Sequence, residues 1–295
     1  MKVNRVVSFS LQWCIEEKDE GKMIKEYLIE QEISRRSLTD IKFSGGKILV
    51  NGQEENVLYR LNIEDHLEVI FPPEKSSETL VGENIPLKII YEDRDILVIE
   101  KPPYMNTIPS REHPTGSLAN AIIGYYQKGG IEATVHIVTR LDRNTSGLVL
   151  VAKHRYMHHL LSQMQQKRLI KRTYEALVEG VLDQASGTIE APIGRKDTSI
   201  IEREVRMDGQ FARTHFEVLK QKSGYCHVKL WLDTGRTHQI RVHMSFIGHP
   251  LLGDELYGGS TDIYKRQALH CSNLSFYHPT LEKELNFHSY FPFDV

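Results

Sequence analysis

The chain has 295 residues, of which 40% are apolar and 26% charged, and a formal net charge of −2. That composition excludes a disordered chain, and the charge excludes a uniformly basic coat for nucleic acid, so a polyanion could be held only by a local patch. Cys14, Cys226 and Cys271 are odd in number and show no CxxC spacing, which predicts reduced thiols, no structural zinc and a cytoplasmic location.

No apolar run is long enough to span a bilayer, and the alternating segment from Arg5 to Trp13 reads as an opening strand, not a signal peptide. Met23, Ile24, Tyr27 and Leu28 then form one apolar helical face. Ser34 is placed to cap a second helix through Arg35, Arg36, Leu38 and Ile41, with Gly45-Gly46 ending it. Arg35 and Arg36 at that helix start are either a phosphate contact, helped by the helix dipole, or a solvated pair. Ile48-Leu49-Val50 followed by Asn51-Gly52 is a two-residue hairpin signal, and Leu67 to Phe71 reads as a later strand. Pro72 to Glu78 is polar, proline-led and aperiodic. The expected division is a small domain over 1–75, a linker over 76–84 and a larger domain over 85–295.

In the larger domain, Leu87 to Tyr91 and Ile96 to Ile99 predict a tight hairpin ended by Lys101-Pro102-Pro103. A helical stripe runs from Leu118 to Tyr126, a buried strand from Leu148 to Ala152, and a helix with Met157, Leu160, Leu161 and Met164 on one face. Tyr174, Ala176 and Val178 alternate along a strand, and two more strands are expected over 214–219 and 225–232. Most links are too short for helical crossovers, so the sheet is antiparallel or mixed and the class is α+β. Neither GxxxxGK[ST] nor GxGxxG occurs, which removes the support for nucleotide hydrolysis and dinucleotide redox chemistry.

From His136 to Tyr174 the only acid is Asp142, among Arg140, Arg143, Lys153, Arg155, Lys167, Arg168, Lys171 and Arg172. A lone carboxylate in a cationic tract points to acid-dependent chemistry on a polyanion such as RNA. Asp142 is a nucleophile, a general base or a structural ion-pair partner, and Thr145-Ser146-Gly147 can supply the turn and hydrogen bonds that keep it charged. Further on, Gly235 to Met244 and Gly248 to Asp254 form a second constellation. Here Thr237 is expected to cap a helix that puts His238 and Arg241 on one face. His238, His243 and His249 could suggest a metal hydrolase, but no HExxH pattern accompanies them and hydrogen-bonded histidines are the simpler reading. Tyr174 either fills the core or offers its ring to a base.

Taken together, Arg140 to Gly147, Lys171 to Val178, and Gly235 to Met244 with the Gly-His-Pro-Leu-Leu-Gly-Asp continuation resemble the RluA/RluD family of RNA pseudouridine synthases, from about Leu87 to the carboxyl end. The unit before it resembles an S4-type RNA-binding domain through Ser34-Arg35-Arg36 and Val50-Asn51-Gly52. The resemblance implies a mixed, mostly antiparallel sheet with a central cleft behind a small S4-like α+β domain. It implies isomerisation of uridine in ribosomal RNA, or second in transfer RNA, with the target base flipped out. It assigns Asp142 as the catalytic aspartate, Arg241 as its ion-pair partner, Tyr174 as the contact to the uracil and Arg140 as part of the motif around the target nucleotide. Arg35, Arg36, Arg143, Lys171 and Arg172 are the expected RNA contacts. No cofactor, metal, membrane or obligate protein partner is expected, and the chain is expected to be a monomer. Thr139, Asn144 and the pair Pro103-Tyr104 depart from the family pattern, where His, Asp and Pro/Ala-Gly are common. The rival reading from a different class is an RNA-binding protein whose large domain only docks RNA.

Overall fold

The computed structural model describes residues 9–74, 80–131 and 133–294. Its amino-terminal part has a core of its own, built from Ile15, Ile24, Tyr27, Leu28, Ile41, Leu67 and others up to Phe71. Strand β1 (Ser10–Cys14), helices α1 (Ile24–Glu30) and α2 (Arg35–Phe43), and strands β2 (Lys47–Val50), β3 (Gln53–Glu54) and β4 (His66–Ile70) enclose it. The sheet order is β1-β4-β2-β3, antiparallel throughout, so the opening strand crosses to pair with the last. Local chemistry explains these elements. Ser34 Oγ accepts the Ser37 amide at the start of α2, and Asn51 and Gly52 both take positive φ, as a type I′ hairpin turn demands. Residues 5–8 of the expected opening strand lie outside the described residues.

The rest of the chain is organised on one large mixed sheet. In chain order its elements are β5 (Lys88–Glu92), β6 (Ile96–Lys101), α3 (Leu118–Gly129), β7 (His136–Ile137), β8 (Ser146–Ala152), α4 (Arg155–Gln166), β9 (Lys171–Glu179) and β10 (Ser186–Glu190). There follow the small hairpin β11 (Ile193–Arg195) and β12 (Arg203–Val205), then β13 (Arg213–Lys222), β14 (Tyr225–Leu232), α5 (Gln239–Phe246), β15 (Leu269–His278) and β16 (Lys283–His288). The sheet runs β10-β13-β14-β9-β15-β8-β6-β5, with β16 added to β15 and β7 to β8. Strand β8 is buried along its whole length, and Ile96 to Ile99 of β6 are fully buried, which is why both read as unbroken apolar runs instead of alternating ones.

All the pairings are antiparallel except β15 with β8, which meet in parallel at His270↔Ser146 and Cys271↔Gly147. Gly147 therefore lies between β6 and β15, with φ +118°, and a Cβ there would stand 2.3 Å from the Cys271 carbonyl oxygen. Only glycine lets the two strands close on the turn that carries Asp142.

Helix α4 joins the two parts of the molecule. Its Tyr156 hydroxyl donates to the Gln31 carbonyl at 3.0 Å, Gln163 Nε2 donates to Glu32 at 3.1 Å, and Arg155 pairs with Asp40. Glu74 accepts the Arg155 amide at 2.7 Å and also contacts the His136 ring. Residues 81–83 pack on α3, where Asn120 Nδ2 donates to the Val81 carbonyl at 2.8 Å.

Candidate active site

Asp142 sits in the turn between β7 and β8, and that turn is fixed by its own backbone. The Thr145 amide closes it on the Asp142 carbonyl at 3.1 Å, and Thr107 Oγ1 donates to the Leu141 carbonyl at 2.8 Å. Three cations hold the remaining carbonyls: Arg172 Nη1 binds that of Arg140 at 3.4 Å, Lys101 Nζ that of Arg143 at 3.2 Å, and Arg266 Nη1 that of Asn144 at 3.1 Å. Every carbonyl from Arg140 to Asn144 thus has a donor, and the Asp142 carboxylate is spared from holding its own loop.

Lys101 is fully buried, and its ammonium also donates to the carbonyls of Pro102 at 2.9 Å and Met105 at 2.8 Å. Burial pulls it down to about 7 against the opposing field of Asp142, with Arg266 adding to the fall. Carbonyl dipoles, not a carboxylate, solvate this charge.

The Asp142 side chain is 29% exposed, with Arg241 Nη1 at 3.5 Å and His238 Nε2 at 4.0 Å from Oδ2. Arg241 does not belong to Asp142 alone. Its Nε and Nη2 form a bidentate pair with buried Asp254 at 2.7 and 2.8 Å, and the Tyr257 ring lies 4.8 Å from its Cζ. Burial works against the guanidinium charge, but Asp254, helped by Asp142, outweighs it and holds the group above its ordinary value. Asp254 therefore fixes the fork and leaves Nη1 to face Asp142.

The sequence places Thr237 as the cap of this helix, and the structure corrects that. His238 occupies the cap position with φ +58°, and no side chain caps α5. The preceding turn is closed by Gln239 Oε1, which accepts from the Arg236 amide at 3.0 Å and from Thr234 Oγ1 at 2.8 Å. The left-handed residue lets the His238 ring face Asp142 while its Nδ1 meets the Tyr257 hydroxyl at 2.7 Å. Burial lowers the His238 imidazole below its ordinary value, and Asp142 opposes this only in part.

Asp142, Tyr174, Arg140, Arg172 and Arg241 line one cavity of about 80 Å³. Tyr174 is buried on β9, where desolvation pushes its phenol upward, and the Arg172 guanidinium lies 5.9 Å from its ring centre. Beside it, a depression of about 540 Å³ shares Asp142, Arg140, Arg172 and Arg236 and adds Arg143 and Thr107. The expected residues Asp142, Arg140, Arg143, Tyr174, Arg172 and Arg241 are brought together here. Lys171 is exposed on β9 and lines neither cavity, and Arg35 and Arg36 lie exposed at the start of α2 in the other part of the molecule.

The remaining histidines of the motif are engaged elsewhere. His243 bonds Thr214 Oγ1 at 2.8 Å and the Ala191 carbonyl at 2.9 Å, and His249 bonds the Glu179 carbonyl at 2.8 Å. Among the described residues no three His, Cys, Asp or Glu side chains converge on one point. Sequence reasoning missed Tyr257, Lys101, Thr107 and Arg266 as parts of the site, and it included Asp254 in the second constellation without giving it a role. Lys101, a lysine ending the apolar run Ile96 to Ile99, was the one visible signal.

A model of the RNA pseudouridylate synthase family matches residues 95–246. The chain belongs to that family. The uncharacterized RNA pseudouridine synthase YjbO of Bacillus subtilis is 55% identical over 92% of this chain and 96% of its own length. Ribosomal large subunit pseudouridine synthase D of Vibrio parahaemolyticus is 38% identical over 85% of this chain and 81% of its own. Relatives of that name place this synthase with the RluA/RluD group, as its sequence blocks imply. The solved human RNA pseudouridylate synthase domain containing 1 is similar at 26% identity with a TM-score of 0.60, covering 72% of this chain and 86% of that one. As an RNA pseudouridine synthase, the protein is an isomerase that converts uridine in RNA to pseudouridine.

Proposed function

We propose that Asp142 is the reacting carboxylate and that the target uridine is flipped into the cavity against Tyr174. The observation that carries this reading is the arrangement of one half-buried carboxylate, held by its backbone, facing an arginine locked by a second acid, with a buried tyrosine as the wall. The 80 Å³ cavity is far below the roughly 300–1,000 Å³ of a complete small-molecule site. It suits a single base, with the sugar and its phosphates in the adjoining 540 Å³ depression, where Arg140, Arg143, Arg172 and Arg236 supply positive charge.

The reaction breaks the bond from N1 to the ribose C1′, turns the uracil, and forms a bond from C5 to C1′, after which the hydrogen of C5 leaves to solvent. A carboxylate at C6 or C1′, or one removing a ribose proton, satisfies this course, and Arg241 keeps a fixed positive charge facing Asp142 where negative charge leaves and returns. Tyr174 holds the base by its ring.

Ribosomal RNA is the substrate this reading favours, on the names of the large-subunit relatives, with transfer RNA second. The amino-terminal unit, proposed as an S4-like domain over 1–75 ahead of a catalytic domain over 85–295, adds phosphate contacts through Arg35 and Arg36. The enzyme is read as a cytoplasmic monomer working on RNA without a protein partner. No helix among the described residues is long and apolar enough to cross a membrane.

The test is tritium release from RNA labelled at uridine C5, taken from cells lacking this enzyme. Release by wild type and none by Asp142→Asn is the expected result. Equal release by both would overturn the role given to Asp142.

A further inference from the structure

The turn that follows β6 holds an exposed aromatic ring on strained backbone. Tyr104 is 54% exposed and has φ +64°, a conformation glycine adopts freely and a residue with a large side chain does not. Its hydroxyl has no hydrogen-bond partner among the described residues. Neither core packing nor a polar contact explains why a tyrosine stands there.

The turn itself is held rigidly. The Lys101 ammonium binds the carbonyls of Pro102 and Met105, on either side of Tyr104, and that of Arg143, next to Asp142. One buried charge thereby sets the place of Tyr104 relative to the Asp142 turn. Arg266 grips the Asn144 carbonyl of the same Asp142 turn. Asn106, Thr107 and Ile108, the next residues but one, line the depression beside Asp142.

We propose that Tyr104 is a base-stacking residue on the rim of this cleft, holding a nucleotide that neighbours the target uridine. The inference rests on the reading that the target enters at Asp142. A rigidly presented aromatic ring two residues from the segment that lines an arginine-rich depression matches a nucleic acid strand, which offers a stackable base and a phosphate at every step. An unpaired neighbouring base would bind the ring, so Tyr104 selects for a target in a loop or an opened helix. Backbone strain is consistent with a ring kept for a contact, because a smaller residue would relax the turn.

The experiment compares Tyr104→Asn and Tyr104→Phe in tritium release from C5-labelled ribosomal RNA of cells lacking the enzyme. Asparagine tolerates the left-handed region better than tyrosine but offers no ring. Its KM is expected to rise by about 5- to 100-fold with kcat within about twofold. Its melting temperature is expected to stay level or rise by up to about 3 °C. Tyr104→Phe keeps the ring and is expected to keep the wild-type KM. A folded Tyr104→Asn with unchanged KM overturns the proposal, and so does a lowered melting temperature with a matching loss of kcat, which would make the ring structural. Asp142→Asn is run alongside. If it releases tritium as wild type does, the reading of the site fails first and takes this proposal with it; if it is inactive, the Tyr104 result stands on its own.

Discussion

Asp254→Asn is the perturbation that most directly tests the architecture of the site. Asp254 is 1% exposed and accepts two hydrogen bonds from Arg241, at 2.7 and 2.8 Å, while Asp142 stands off at 3.5 Å. Removing the closer carboxylate leaves a buried guanidinium with a single, more distant, half-exposed counter-charge. Breaking a buried pair from one side costs about 3–5 kcal/mol, because the surviving ion keeps its desolvation penalty. For a domain of about 200 residues each kcal/mol lowers the melting temperature by about 2–4 °C, so a fall of about 6–20 °C is expected. The second measurement is a cycle with Arg241→Met. The double variant buries no uncompensated charge and should be more stable than Asp254→Asn by about 1–3 kcal/mol, although both should release little tritium. Scanning calorimetry or thermal melts followed by circular dichroism read the stability. A melting temperature lowered by less than about 2 °C in Asp254→Asn, or a double variant destabilised by the sum of the two single changes, would refute the view that Asp254 is the anchor of Arg241.

Three further outcomes follow from the same structure. His270 is buried between Ser146 Oγ and Ser289 Oγ, each at 2.9 Å, and burial pulls its imidazole down to about 4. It is neutral in the folded state and gains a proton more readily in the unfolded one, so stability is full above pH 6.5 and declines as pH falls towards 4, by up to about 3 kcal/mol. Urea titrations at pH 7 and pH 4.5 check this, and His270→Gln should show the smaller difference between the two. Lys101→Met removes the donor to the Arg143 carbonyl and should lower kcat of the folded protein by about 10- to 100-fold, since small displacements of a reacting group have effects of that size; unchanged single-turnover rates would count against the pinned loop. Arg35→Ala with Arg36→Ala should reduce the salt slope of RNA binding by about 1–2 without changing the single-turnover rate, as measured by filter binding over a range of salt, and an unchanged slope would leave both arginines as solvated surface.

Much of the local structure was readable from neighbouring residues. Helix α1 follows from the spacing of Ile24, Tyr27 and Leu28, all buried, and α2 from the Ser34 hydroxyl that caps it. The β2–β3 hairpin follows from Asn51-Gly52, which adopt the positive φ that the turn needs. Thr237 shows where such reasoning stops. A hydroxyl before a helix is a good cap by propensity, yet His238 takes the cap position in the left-handed region with its ring against Tyr257 and facing Asp142, and residues close in sequence carry no sign of that.

The site divides along the same line. The isolation of Asp142 in a cationic tract, the arginine of the third block and Tyr174 on an alternating strand were all visible in the chain, because charge pattern and motif order are properties of sequence. The pairing of Asp254 with Arg241, the ammonium that holds the Asp142 turn and the donor to the Leu141 carbonyl were not. Thr107 reaches Leu141 across 34 positions and Lys101 reaches Arg143 across 42. Such contacts exist only once β6, β8 and β15 have closed around Gly147, for a buried polar group takes whatever partner the packed chain brings within hydrogen-bond distance. Sequence alone determined the chemistry available to this protein. The tertiary structure decided which charges meet, and so which carboxylate faces the cavity.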